Sequence, residues 1–209
     1  MAASAAFIHR FEPATAPGLP PLLLLHGTGG DENDLLPLGR TVLPGAALLS
    51  PRGQVLEGSM PRFFRRLAEG VFDEDDLTRR THDLADFIAE ARTQYGLPAP
   101  LALGFSNGAN IAAALLLLRP EVLAGAVLLR AMAPFAKPPV ADLSGKPVLL
   151  LSGRLDPIIP AENAAGLAAT LEQAGASVER RSLPTGHGLS QADVGIVGEW
   201  LSGKRAQAA

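Results

Sequence analysis

A serine in the middle of the chain has the surroundings of a catalytic nucleophile. Ser106 lies in the stretch Gly104-Phe-Ser-Asn-Gly108, which directly follows an apolar run and directly precedes a helical one. The pattern Gly-x-Ser-x-Gly between a strand and a helix is typical of a strained turn that lifts the serine hydroxyl above a sheet. Because the chain has 22 glycines, the pattern alone is a weak signal. Its position between a strand and a helix strengthens it.

A serine hydroxyl needs a base that takes its proton, so one of the four histidines must be available. His187, in Leu183-Pro-Thr-Gly-His-Gly188, follows the last predicted strand in a flexible loop, and we predict that it is the base. His82 lies inside a predicted helix, where a surface role is expected. His9 lies ahead of the predicted central sheet.

An acid must orient that imidazole, and Asp156 is the candidate. It follows the penultimate predicted strand, directly before Pro157. Asp-Pro is also common turn chemistry, so Asp156 read by itself could be a turn residue. The chain order Ser106, Asp156, His187 is the order of α/β-hydrolase triads and favours the catalytic role.

A glycine-rich turn follows the first core strand, in the stretch Leu22-Leu-Leu-Leu-His-Gly-Thr-Gly-Gly-Asp31. A phosphate-binding loop is disfavoured, because Glu32 stands where the third glycine of Gly-x-Gly-x-x-Gly belongs and acidic side chains repel a pyrophosphate. The alternative is an oxyanion hole, in which glycines leave backbone N–H groups free to face a developing charge. We predict Thr28 N–H and Asn107 N–H as its donors, with His26 supporting the loop.

Composition excludes several other classes of protein. Without cysteine there are no disulfides, thiol nucleophiles or thiolate metal sites. The formal charge of −3 offers no electrostatic footprint for nucleic acid. The N-terminus does not resemble a secretory signal, and the longest apolar run, 111–118, is too short to span a membrane. The sequence therefore predicts a cytoplasmic protein, and it leaves a homodimer open.

Strand-length apolar runs alternate with longer helical segments, which predicts an α/β fold with a mainly parallel sheet covered on both faces. A single domain over 1–209 is expected, with a frayed tail at about 203–209. The predicted strands are Pro21–Leu25, Ala46–Ser50, Leu101–Phe105, Gly125–Leu129, Pro147–Leu151 and Ser177–Ser182, with Phe7–Phe11 as a further candidate. The predicted helices are Glu74–Tyr95, Asn107–Leu118, Ala161–Ala174 and Ser190–Leu201.

Four motifs in order, HGTGGDENDL, GFSNGANIA, GRLDPIIP and GHGL, resemble those of the phospholipase/carboxylesterase family of small α/β-hydrolases, which includes acyl-protein thioesterases. The segment SPRGQVLEGSMPRFFRRLAEGVFDEDDL resembles the bacterial esterase branch, and the match runs from about Leu22 to Trp200. The family implies an α/β-hydrolase fold without a large lid domain, acting on carboxylic esters or thioesters with no metal and no cofactor.

The resemblance does not decide between oxyesters and thioesters. Thioesterase members often have glutamine and leucine where this chain has Asn107 and Thr28. We expect esters with short to medium acyl groups as substrates. Acyl transfer to an acceptor other than water, and a non-catalytic ligand-binding homologue, stay open as alternatives. Apolar residues in loops after the strands could line an acyl pocket or simply pack beneath the loops, namely Met60, Phe63, Phe64, Met132 and Phe135.

Overall fold

The structure, a computed structural model, describes residues 7–205. Its strands in chain order are β1 His9–Glu12, β2 Leu22–Leu25, β3 Leu48–Pro51, β4 Val55–Glu57, β5 Met60–Arg62, β6 Arg66–Ala68, β7 Val71–Phe72, β8 Leu101–Phe105, β9 Gly125–Leu129, β10 Pro147–Gly153 and β11 Ser177–Leu183. Seven of them form the central sheet in the order β1-β3-β2-β8-β9-β10-β11. Only β1 runs antiparallel to its neighbour within this sheet.

Five α-helices cover the sheet within the described part of the chain. They are α1 Leu36–Val42, α2 Glu74–Tyr95, α3 Asn107–Leu118, α4 Ala161–Gln173 and α5 Gln191–Arg205. Side chains of α2, α3 and α4 pack in one apolar core, and side chains of α1 and α5 pack in a second one. The helices therefore lie on both faces of the sheet.

The uninterrupted apolar runs explain why the middle strands are buried on both faces. The side chains of β2 are all leucine and fully buried. Leu23 and Leu25 belong to the core beside α3, whereas Leu22 and Leu24 belong to the core beside α1. Successive side chains of a strand point to opposite faces, so a strand covered on both sides needs apolar residues at every position.

The predicted α/β-hydrolase fold is confirmed. The six core strands and the four long helices form at the predicted places, with ends that differ by a few residues. The candidate first strand forms as β1, two residues later than predicted. Helix α5 continues to Arg205, beyond its predicted end at Leu201, so it includes the first residues of the expected frayed tail; residues 206–209 lie outside the described residues.

The sequence prediction missed α1 and two small hairpins between β3 and α2. One hairpin pairs β4 with β5, and the other pairs β6 with β7. Their strands have only two or three residues, and Pro61 interrupts any alternation in β5. No helix within residues 7–205 is both long enough and apolar enough to cross a membrane.

Candidate active site

Ser106 stands at a sharp turn between β8 and α3. Its φ angle of 51° lies in the left-handed region, which is costly for a residue other than glycine. The flanking glycines make the turn feasible: a Cβ on Gly108 would lie 2.0 Å from the Leu25 carbonyl oxygen, and one on Gly104 would lie 2.6 Å from the Gly108 carbonyl oxygen. The backbone therefore approaches β2 more closely than any side chain would allow.

Ser106, His187 and Asp156 form a continuous chain of hydrogen bonds. The Ser106 hydroxyl lies 2.9 Å from Nε2 of His187, and Nδ1 of His187 lies 2.8 Å from Oδ2 of Asp156. Donation from Ser106 to Nε2 and from Nδ1–H to the carboxylate needs the neutral Nδ1–H tautomer. In this arrangement the imidazole is ready to accept the serine proton.

Asp156 is held rigidly beneath the histidine. Its side chain is 1% exposed, against 21% for the His187 side chain. The second carboxylate oxygen, Oδ1, accepts hydrogen bonds from the backbone N–H groups of Ile158 (2.9 Å) and Ile159 (3.1 Å). These bonds satisfy the buried carboxylate and leave Oδ2 directed at the imidazole.

Thr28 and Asn107 both line the cavity that contains Ser106 and His187. Within residues 7–205, neither backbone N–H is engaged by another protein group. Asn107 is the first residue of α3, so its N–H stands at the positive end of the helix dipole. The two groups can therefore donate to an oxygen that gains negative charge beside Ser106.

Side-chain contacts fix the loops that hold these two donors. Nη1 of the buried Arg62 donates to Oγ1 of Thr28 at 2.7 Å. The side-chain oxygen of Asn107 accepts from the Phe63 N–H at 2.8 Å. Burial is the main reason that the pKa of Arg62 lies below its ordinary value, and the neighbouring charge of Arg66 acts in the same direction. The first hairpin is thus tied to both residues predicted as oxyanion donors.

His26 has a structural role. Its Nδ1 lies 2.7 Å from the Gly27 carbonyl, and its Nε2 accepts from the Gly53 N–H at 3.0 Å. The ring is 1% exposed, and this burial lowers its pKa. A neutral imidazole satisfies both contacts, so His26 links the glycine-rich turn to the segment after β3, as the sequence prediction expected.

The cavity beside Ser106 has a volume of about 340 Å³. Its apolar wall is formed by Met60, Phe72, Phe105, Met132, Ile158 and Ile159. Its polar wall is formed by Thr28, Arg62, Arg66, Glu69, Ser106, Asn107, Asn110 and His187. The hairpins after β3 supply much of this lining, which explains why the short strands matter for the site.

Two of the five predicted pocket residues, Met60 and Met132, line the cavity, and the other three do not. Phe63 and Phe64 are 2% and 0% exposed and belong to the core. Their rings pack instead against His26 and Phe72, with centroid distances of 4.7 and 5.0 Å. Phe135 is partly buried against the same core. For these three phenylalanines, packing beneath the loops is the correct interpretation.

The sequence prediction also missed several lining residues. Phe105 directly precedes Ser106, and Ile158 and Ile159 follow Asp156 within three residues. Proximity to a catalytic candidate along the chain was a usable signal for these three. Arg66, Glu69 and Phe72 gave no such signal, because hairpin pairing brings them to the site. In the described part of the chain, no three His, Asp or Glu side chains group as a metal site would require.

The family model described as the alpha/beta hydrolase fold matches residues 20–146. The match covers more than half of the chain and includes Ser106. The chain belongs to the α/β-hydrolase family. Solved relatives assign this α/β-hydrolase to the phospholipase/carboxylesterase branch, which confirms the resemblance found in its motifs.

Three relatives illustrate the similarity. The Bacillus subtilis (strain 168) protein named "Putative hydrolase MhqD" is 46% identical over 194 residues, which cover 92% of this chain and 96% of that protein. The carboxylesterase of Bacillus cereus is 44% identical, with a TM-score of 0.93 over 99% of this chain and 97% of its own. The carboxylesterase of Mesorhizobium loti is 35% identical, with a TM-score of 0.84 over 88% of each chain.

Proposed function

We propose that this α/β-hydrolase is a serine carboxylesterase that cleaves carboxylic esters through an acyl-enzyme on Ser106. The observation that carries the proposal is the hydrogen-bonded series Ser106–His187–Asp156, which opens into a cavity of about 340 Å³. The carboxylesterase relatives from two bacteria support the same reaction class.

In the first step the Ser106 oxygen attacks the ester carbonyl carbon while Nε2 of His187 takes the hydroxyl proton. Asp156 keeps the imidazole in the Nδ1–H tautomer and stabilises the imidazolium that forms. The carbonyl oxygen becomes an oxyanion that accepts hydrogen bonds from Thr28 N–H and Asn107 N–H. Collapse of this intermediate breaks the bond to the alcohol oxygen, which takes the proton from His187 and leaves.

In the second step water replaces the alcohol. His187 takes a proton from the water, whose oxygen attacks the acyl carbon on Ser106. The second oxyanion uses the same two N–H donors, and collapse returns the proton to the Ser106 oxygen. The products are a carboxylic acid and the free enzyme, so one water is consumed for each ester.

The size of the cavity supports the proposal that the substrates have short to medium acyl groups. Its volume of about 340 Å³ lies at the lower end of the range of about 300–1,000 Å³ for small-molecule sites. The apolar side chains beside Ser106 suit a hydrocarbon chain, whereas Arg66 and Glu69 suit a polar end group. Esters and thioesters share the carbonyl that the triad attacks, so a matched series of both tests the choice of leaving group.

The first experiment compares Ser106→Ala with Ser202→Ala on p-nitrophenyl esters of graded acyl length. Ser202 lies exposed on α5, and its hydroxyl donates to the Gly198 carbonyl of the same helix, so it controls for loss of a serine. We expect turnover to fall at least about 10³-fold in Ser106→Ala and to be unchanged in Ser202→Ala. A fluorophosphonate probe should label Ser106, located by peptide mass spectrometry.

Wild-type turnover by Ser106→Ala would refute the nucleophile. Failure of the wild-type protein both to turn over any ester or thioester and to accept the probe would favour the non-catalytic alternative. Acyl transfer is recognised separately, by adding an alcohol acceptor and measuring the new ester beside the free acid.

A further inference from the structure

A buried arginine lies behind the catalytic histidine loop, outside the triad. Arg130 directly follows β9, and its guanidinium side chain is 0% exposed. Its φ angle of 55° makes it the second residue, with Ser106, that adopts a left-handed backbone without being glycine in the described part of the chain. Such a conformation costs free energy and is expected where the surrounding structure requires it.

The guanidinium of Arg130 contacts the backbone on both sides of His187. Nε donates to the Gly186 carbonyl at 3.1 Å, and Nη2 lies 3.3 Å from the Gly188 carbonyl. Nη2 also donates to Oγ1 of Thr185 at 3.0 Å. One rigid planar group thus contacts three of the residues around the imidazole.

Asp193, near the start of α5, holds the guanidinium from the other side. Its two carboxylate oxygens accept from Nη1 and Nη2 of Arg130 at 2.9 and 2.8 Å. The carboxylate also accepts from the N–H and the hydroxyl of Ser190, at 2.8 and 2.7 Å. Burial would raise the pKa of Asp193, but the hydrogen bonds from Arg130 and Ser190 outweigh it and keep that pKa below its ordinary value.

We propose that Arg130, oriented by Asp193, is a positioning residue that fixes the backbone around His187 and thereby aligns its imidazole between Ser106 and Asp156. This inference rests on the proposed esterase function for its kinetic consequence. It concerns residues that the triad motif does not include, since Arg130 touches neither Ser106 nor Asp156 in the observed hydrogen bonds.

The chemistry of the Arg130–Asp193 ion pair favours a role in positioning the loop over a role in stabilising the fold. A buried ion pair pays a large desolvation cost, and apolar replacements of similar volume are often equally stable or more stable. The planar fork of arginine, in contrast, can hold several acceptors in one fixed geometry, which the single ammonium group of lysine cannot do. The loop Thr185–Gly188 contains two glycines, so it needs an external contact to keep one conformation.

The first test is Arg130→Lys, which keeps a positive charge opposite Asp193 but loses the fork. The matched control is Arg119→Lys, because Arg119 pairs with Asp86 and Glu121 at the far end of α3. We expect kcat for p-nitrophenyl esters to fall about 10- to 100-fold in Arg130→Lys, with KM within about threefold of wild type. Arg119→Lys should keep wild-type values of both.

A second variant separates positioning from folding. Arg130→Met with Asp193→Leu removes both charges, so no buried charge is left unpaired. We expect this double variant to unfold at or above the wild-type temperature and still to show the loss in kcat. A folded double variant with kcat within threefold of wild type would overturn the proposal, and so would such a kcat in Arg130→Lys.

A third measurement needs no substrate. The Nδ1–H proton of His187, bonded to Asp156, should give a far-downfield proton NMR resonance in the wild-type protein. We expect the resonance to broaden or disappear in both Arg130 variants and to persist in Arg119→Lys. An unchanged resonance in Arg130→Lys would refute the positioning role. A wild-type protein with the resonance but without ester turnover would refute the proposed function alone.

Discussion

Substitution of Gly108 by alanine tests whether close backbone contact keeps the proposed nucleophile, Ser106, aligned with the proposed oxyanion donors. Gly108 is the second residue of α3, two positions after Ser106. A Cβ at this position would meet the carbonyl oxygen of Leu25 at 2.0 Å and that of His26 at 2.6 Å. Both atoms are backbone atoms at the end of β2, so no side-chain rotation can relieve the clash.

The required movement can be estimated from these distances. An ordinary contact begins at about 3.4 Å, so the start of α3 and the end of β2 must separate by about 1.4 Å. Asn107 N–H lies on one of these segments and Thr28 N–H follows the other. Because misplacement by about 1 Å can cost about 10²-fold in rate, we expect kcat/KM to fall at least that much. Overpacking should also cost about 1–3 kcal/mol of stability.

The assay measures kcat/KM on p-nitrophenyl esters together with the thermal unfolding midpoint, for Gly108→Ala and for Gly166→Ala. Gly166 lies on the exposed face of α4, and a Cβ there would have no neighbour within 4 Å. Gly166→Ala should keep its activity, and its free energy of unfolding should rise by up to about 1 kcal/mol, because alanine favours a helix more than glycine does. Wild-type activity and stability in Gly108→Ala would refute the reasoning.

Two further predictions concern the buried ring of His26 and the contrast between Phe63 and Met60. Because the pKa of His26 is lowered, its stabilising contribution is complete above about pH 6.5 and declines as the pH falls, by at most about 1.4 kcal/mol per pH unit. Urea unfolding should show that the free energy of unfolding falls more between pH 7.5 and pH 5.5 in wild type than in His26→Gln. Equal falls in the two proteins would contradict the prediction. Phe63→Ala should lower the free energy of unfolding by about 3–5 kcal/mol, because Phe63 is buried in the core. Met60→Ala should mainly change the preferred acyl length in an ester panel, because Met60 lines the cavity. A large stability loss in Met60→Ala together with a changed acyl preference in Phe63→Ala would reject this assignment.

The elements that the sequence predicted correctly have strong local signals. The run of β2 and the run Pro147–Leu151 in β10 are apolar at every position, and Gly96 and Pro120 mark helix ends. Ser106 was singled out because its two glycines satisfy a steric need of the turn itself. His187 and Asp156 were singled out because each follows a predicted strand, in the family's chain order. The structure brings these three side chains into hydrogen-bond contact.

The elements that the sequence prediction missed depend on contacts distant along the chain. Two apolar residues of one short segment have different roles, since Met60 lines the cavity while Phe63 packs in the core, and composition does not separate them. Helix α1 contains Pro37 and Gly39 in seven residues, so its helical signal is weak. Arg130 and Asp193 are 63 residues apart, and no local pattern relates them.

The two hairpins after β3 contribute to the wall of the cavity and not to the hydrogen-bonded series Ser106–His187–Asp156. They supply Met60, Arg66, Glu69 and Phe72 to the cavity wall, but no member of the hydrogen-bonded triad. The lining of the cavity can therefore be changed within this one segment without altering Ser106, His187 or Asp156. Such a change has one condition: Arg62 must still donate to Thr28, because that contact joins the hairpin segment to the glycine-rich turn beside Ser106.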